Sequence, residues 1–171
     1  SFFDVVMVYV SAKFFWIPFY ALLVYLIYIN YGRYTLVVLL LVALMITLTD
    51  QGSVHLFKNV FQRLRPCHAP DLKLFVHTVE KCGGQYGFLS SHAANSFALA
   101  FFVSAILRKH YRWITLLMFS WATLVIYSRV YLGVHYPGDV LAGALFGLLI
   151  GWFVLMLFKF VLRKYPMRRS A

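Results

Sequence analysis

The stretch "SRVYLGVHYPGD", residues 128–139, places Ser128, Arg129, His135 and Asp139 close together between two long apolar runs. What surrounds it decides the fold. The chain has 171 residues, 63% hydrophobic and only 12% charged. A soluble domain is nearer half apolar and a quarter charged. The apolar runs are long enough to cross a bilayer, which takes about 20 residues of helix. The expected fold is therefore all-α, an integral membrane helical bundle of five to six transmembrane helices. Length suits a single domain over residues 1–171.

Five spanning helices are predicted, over residues 14–30, 34–56, 88–107, 113–127 and 140–162. Residues 2–12 are apolar but short. They suit an interfacial segment, or the end of a helix that begins upstream, since the sequence starts without Met. "SFFDVVMVYV" has no basic lead and carries an acid, unlike a cleavable signal peptide. "NYGR" and "RKHYR" are tight turns. Residues 58–86 form a long polar loop with two Pro-containing pairs and Gly83-Gly84.

The net charge of +11 could suggest nucleic acid, but many cations flank apolar runs, as membrane anchors do. No nucleic-acid partner is expected. Alternating helices put Arg33, Arg108, Lys109, Arg112, Lys159, Arg163, Lys164, Arg168 and Arg169 on one side. Lys13, Lys58, Arg63, Arg65, Lys73, Lys81 and Arg129 fall on the other. Lys58, Arg65 and Arg129 belong to the clusters described next; without them the first side clearly dominates. Positive residues mark the cytoplasmic side, so the long loop faces outward. Cys67 and Cys82 lie in that loop. An oxidising compartment allows a disulfide between them, worth about 3 kcal/mol in the entropic account. Two free thiols are the alternative. A zinc site with His68 and His77 fits no standard spacing.

Three polar clusters meet on the outward face. "KNVFQRLRP" supplies Lys58 and Arg65, and "FLSSHAANSF" supplies Ser90, Ser91 and His92. The opening stretch supplies Ser128, Arg129, His135 and Asp139. Lys58, Arg65 and Arg129 offer charge and planar forks to phosphate oxygens. Ser90 and Ser91 open a helix, whose free N–H groups favour an anion. Any one cation alone would suit a snorkelling anchor. Together they describe a phosphate pocket. Asp139 can fix the tautomer of His135 and leave one nitrogen free as a nucleophile. The structural alternative is that this pair only staples a loop. His92 can donate a proton to a leaving oxygen. Asp50, at the end of the second span, is a candidate partner for a pocket cation.

Lys58 followed after six residues by Arg65-Pro66, then Ser90-Ser91-His92, then Ser128-Arg129 with His135 and Asp139, resembles the three-part signature of the type 2 phosphatidic acid phosphatase superfamily. The motifs span about half the chain. The flanking helices suit the membrane lipid phosphatase branch and not its soluble haloperoxidases. The resemblance implies His135 as nucleophile and phosphohistidine carrier, Asp139 as its orienting partner, and His92 as general acid. It implies Lys58, Arg65, Ser90, Ser91 and Arg129 as phosphate-binding residues, with no metal and no cofactor. The middle motif departs from the usual Pro-Ser-Gly-His. Leu89 replaces Pro, and Ser91 adds a side chain where the backbone must approach phosphate.

The expected function is an integral membrane lipid phosphatase, working at the outer interface of a bacterial inner membrane with its site facing the periplasm. Substrates implied by the resemblance are undecaprenyl diphosphate, phosphatidylglycerol phosphate, phosphatidic acid and lipid A 1-phosphate. The alternative is a non-enzymatic channel or anionic-lipid-binding protein with the same cationic pocket. An intramembrane serine protease using Ser90 or Ser91 lacks a suitable nucleophile turn. Oligomeric state has no sequence signature here.

Overall fold

The structure, a computed structural model, describes residues 1–72, 74–79 and 81–165. Lys73, Arg168 and Arg169, used in the charge count, lie outside the described residues. Helix α1 (Phe2–Ser11) runs into a 3₁₀ turn at Lys13–Trp16 and then α2 (Ile17–Tyr31). Pro18 stands in the first turn of α2, where its missing N–H has no helical partner to lose. Gly32, with φ of 52°, turns the chain into α3 (Thr35–Gly52). α3 continues through a π-helical turn, Ser53–Lys58, to Phe61. Helices α4 (Ser91–Leu107), α5 (Ile114–Tyr131) and α6 (Pro137–Lys164) complete the bundle.

Stretches 13–61, 114–131 and 137–164 are long and apolar enough to cross a membrane. The first is folded at Gly32 into two helices. Helix α4 is apolar and has 17 residues, roughly 25 Å at 1.5 Å per residue. All five segments predicted as spans are helical. Two of their edges differ in a way that bears on the site. α5 ends at Tyr131 rather than Tyr127, so Ser128 and Arg129 sit in its last turn. α6 begins at Pro137 rather than Val140, which takes Asp139 into its first turn. Residues 2–12 form α1, which packs against α5.

Helix α4 occupies the centre. Its Ala93, Ala94 and Ala98 are fully buried against α6. Gly143, Gly147 and Gly151 of α6 recur every four residues on the facing stripe. A Cβ on Gly147 would lie 2.2 Å from the Ala94 carbonyl oxygen, and one on Gly143 would lie 2.5 Å from that of Ser90. Only glycine allows two backbones this close, the small-residue packing that holds helices together where lipid removes the hydrophobic drive. On the opposite face of α6, Leu141, Leu145 and Leu149 are largely exposed, as lipid-facing residues should be.

The far end of the bundle is closed by tyrosines. The Tyr31 hydroxyl donates to the Ile106 carbonyl at 2.8 Å, and that of Tyr34 to the Tyr165 carbonyl at 3.0 Å. The near end gathers the last turns of α3 and α5, the first turns of α4 and α6, and the long loop. An antiparallel bridge pairs Leu64 with Tyr86 across that loop. Cys67 and Cys82 are joined in a disulfide, with Cα atoms 6.1 Å apart. His68 and His77 turn elsewhere: His68 Nε2 lies 3.3 Å from the Gly83 carbonyl, and His77 Nε2 lies 2.8 Å from the Asp4 carboxylate. The four side chains are thus not grouped around a common centre.

Candidate active site

The turn between α5 and α6 presents His135. Gly133, with φ of 69°, makes the turn possible, and the chain at Val76 and His77 packs directly over it. His135 is 2% exposed. Its two ring nitrogens meet opposite surroundings. Nδ1 lies 3.5 Å from the Asp139 carboxylate, and Nε2 lies 3.3 Å from Nη1 of Arg65. A guanidinium has no lone pair to offer, so Nε2 must be the acceptor and Nδ1 carries the proton toward Asp139. The carboxylate contact is longer than a good hydrogen bond, as is common before a substrate tightens a site. Burial first, then the positive charges of Arg65 and Arg129, push the imidazole pKa down to about 4, against the opposing pull of Asp139. The ring is therefore neutral at pH 7.

Asp139 is fully buried. Its carboxylate accepts the Tyr136 N–H at 3.0 Å, and its main-chain carbonyl accepts the Ser90 N–H at 3.1 Å. Arg63 Nη2 approaches the other carboxylate oxygen at 3.3 Å, with its guanidinium 4.3 Å from the centre of the Tyr136 ring. This partner was not expected from the sequence. Arg63 sits two positions before Arg65, so the pair point to the same face of an extended segment.

The π-helical turn delivers Lys58, whose ammonium donates to the Ser91 hydroxyl at 2.7 Å. Such turns recur at functional sites because one extra residue re-aims the side chains. Ser91, the residue standing where the family pattern has glycine, thus gives Lys58 a partner. Arg65 is held by its loop: its N–H donates to the Gln85 carbonyl at 3.1 Å, and its Nη1 reaches the Val134 carbonyl at 3.4 Å. Its Nε is buried and has no hydrogen-bond partner among the described residues, a donor left open beside His135.

The structure thus brings Lys58, Arg65, Ser91, His92 and His135 to the mouth of one cavity of about 510 Å³. Three other expected residues lie behind its wall. Ser90 is fully buried, and its hydroxyl caps α4 by accepting the Ala93 N–H at 3.4 Å. Asp139 stands behind His135. Arg129 donates to the Ser11 hydroxyl, and Ser11 lines the cavity. Lys13 and Asp50 also line it. Asp50 has no cation within ion-pair distance among the described residues; it accepts a hydrogen bond from Asn95 at 2.9 Å instead. With the pocket cation Lys58 it interacts through charge at longer range rather than through a contact. Away from the mouth the walls become apolar, with Leu23 and Ile27 of α2, Val42 and Ile46 of α3, and Val103 of α4. A cation-rich mouth on an apolar slot suits an amphiphile with an anionic head.

Known proteins share this architecture. The sequence profile of the PAP2 superfamily matches residues 34–163. The lipid A 4'-phosphatase of Bacteroides thetaiotaomicron is 38% identical over 173 residues, covering 99% of this chain and 74% of that protein. The lipid A 4'-phosphatase of Porphyromonas gingivalis is 41% identical over 148 residues, covering 85% of this chain and 61% of that protein. The crystal structure of a transmembrane phosphatidylglycerolphosphate phosphatase from Bacillus subtilis superposes with a TM-score of 0.66 at 24% identity, covering 99% of this chain and 80% of the other. That last likeness is one of fold. The chain belongs to the PAP2 superfamily, in its membrane lipid phosphatase branch.

Proposed function

We propose that this chain removes a phosphate monoester from a lipid A-type glycolipid, at the 4'-position. The two lipid A 4'-phosphatase relatives favour this substrate over the diphosphates and glycerophospholipids considered from sequence, and over the 1-phosphate. The observation that carries the chemistry is His135. Its Nε2 lone pair is neutral and faces a cation, at the mouth of an apolar cavity.

In the reaction proposed, Nε2 attacks phosphorus and the bond from phosphorus to the sugar oxygen breaks. His92, in its imidazolium form once the anionic phosphate is bound beside it, gives its proton to that oxygen. Nδ1–H stays on His135, steadied by Asp139, as positive charge develops on the ring. Lys58 and Arg65 hold the phosphoryl oxygens, Arg129 adds its charge from behind Ser11 and turns inward when the phosphate binds, and the α4 N-terminus at Ser90 and Ser91 contributes its dipole. Water then attacks the phosphohistidine, His92 takes its proton, and phosphate leaves with Nε2 restored. The cations supply the charge stabilisation that a metal supplies elsewhere. The single domain sits in a bacterial inner membrane with this mouth toward the periplasm, as the charge asymmetry supports.

The test is phosphate release from purified lipid A beside undecaprenyl diphosphate and phosphatidic acid, with and without chelator. Lipid A should give the highest kcat/KM, unchanged by chelator. His135→Ala should lose at least about a thousandfold, on the scale of a removed nucleophile, with an unaltered melting temperature. A folded, fully active His135→Ala enzyme would refute the mechanism.

A further inference from the structure

Asp50 is a carboxylate on the wall of a membrane-embedded cavity whose other ionised side chains, Lys13, Lys58 and Arg65, are all cations. Ionisable groups at such depth are costly, and they mark functional sites more often than scaffolding. Its surroundings are built. Asn95 donates to one carboxylate oxygen at 2.9 Å. The carboxylate can only accept, so the amide nitrogen of Asn95 faces Asp50 and its oxygen meets the Thr49 hydroxyl. Thr49 and Asp50 are neighbours on α3, so the three groups tie α3 to α4. The second carboxylate oxygen takes no hydrogen bond from any described residue.

The placement relative to the reaction is informative. Asn95 follows His92 by three residues and Ser91 by four, so it stands one turn farther along α4 on the same face. Both Asp50 and Asn95 line the cavity that opens at His135. A phosphoryl group beside His135 has its leaving oxygen at His92. What lies beyond that oxygen must pass Asn95 and Asp50. A carboxylate repels a second phosphate but accepts hydrogen bonds from neutral donors, and such charge-assisted bonds are stronger than neutral ones.

We infer that Asp50, held by Asn95, is a specificity-determining residue that accepts an O–H or N–H of the group carrying the phosphate. It would thereby favour phosphates borne on a sugar ring over those borne on a plain glyceride. This rests on the proposed function, and it names a recognition element on the leaving-group side. The isosteric Asp50→Asn removes the charge and half the acceptors while keeping the contact surface.

The experiment compares wild type with Asp50→Asn, Asp50→Glu and Asn95→Ala. The substrates are lipid A and a phosphatidic acid with matched acyl chains, and kcat/KM is read for each. Asp50→Asn should reduce kcat/KM on lipid A by about tenfold or more, the scale of one charged hydrogen bond, and change it less than twofold on phosphatidic acid. Asn95→Ala should do the same more mildly, and Asp50→Glu should recover part of the loss. An equal loss on both lipids would make Asp50 a general support for Lys58 and α3, and would overturn the inference alone. An unchanged lipid A rate would overturn it as well. A wild-type enzyme that released phosphate from neither lipid would remove the proposed function, and this inference with it.

Discussion

Helix α4 has two opposite neighbours. Toward α6 it offers alanines, and the two backbones meet across a glycine stripe with no room for a methyl group. Toward α2 and α3 it offers His92, Asn95, Leu99 and Val103, which line a cavity of about 510 Å³ and touch α3 through Asn95. The contrast divides the labour. The closed seam fixes where the α4 and α6 N-termini sit, and with them His92 and Asp139. The open side gives a lipid somewhere to lie while its head meets those residues.

If that division is correct, damage on the two sides should differ in kind. The largest effect is expected at the seam. Gly147→Leu pushes carbons into the Ala94 backbone, and overpacking of this sort costs about 1–3 kcal/mol or more; the melting temperature in detergent should fall and activity on every substrate should fall with it. Arg65→Met comes next, on the open side. Losing charge-assisted bonds to phosphate should lower kcat/KM by about a hundredfold with little change in melting temperature. It also carries a pH signature. His135 is held down to about 4, partly by Arg65. In the proposed reaction Nε2 attacks, and below that value it is protonated and cannot. The acid limb of kcat/KM should therefore fall near pH 4 in wild type and move upward in Arg65→Met. Asp139→Asn removes the upward pull and should move it the other way.

A smaller effect is expected from filling the slot. Val42→Trp should raise KM for a long-chain lipid by about tenfold, since several buried methylenes at roughly 0.8 kcal/mol each are at stake. A short-chain soluble phosphate should be spared, which separates blockage of the slot from damage to the mouth. Arg63→Gln should be the mildest, a loss of a few-fold in kcat with KM unchanged, because the side chain reaches Asp139 from a partly exposed position.

Much of the closed architecture was legible in the residues. Hydropathy located the five long helices, and alternation of the helices brought the three polar clusters to one face before any distance was known. The open side was not legible. Hydropathy says that a residue is buried in something apolar, but lipid, protein and cavity look alike to it. The rotation of α3 that turns Asp50 toward Asn95 depends on the packing of its neighbours. The π-helical turn before Lys58 leaves no mark in composition. Arg63 looked like one more loop cation, because its partner is set by a bridge between Leu64 and Tyr86 that no local spacing announces. The glycines at 143, 147 and 151 were visible as a regular interval, and that interval was the overlooked signal.

The bond from the Ser90 N–H to the Asp139 carbonyl has a further consequence. It clips the entrances of two membrane helices together at the level where the lipid head is processed. Bilayers vary in thickness, and helices accommodate by tilting. Together with the glycine seam, the clip makes α4 and α6 tilt as one unit, so a thinner or thicker membrane would tilt the pair before it altered the spacing between His92 and His135. The reaction is in this sense insulated from the mechanics of the sheet in which it is embedded.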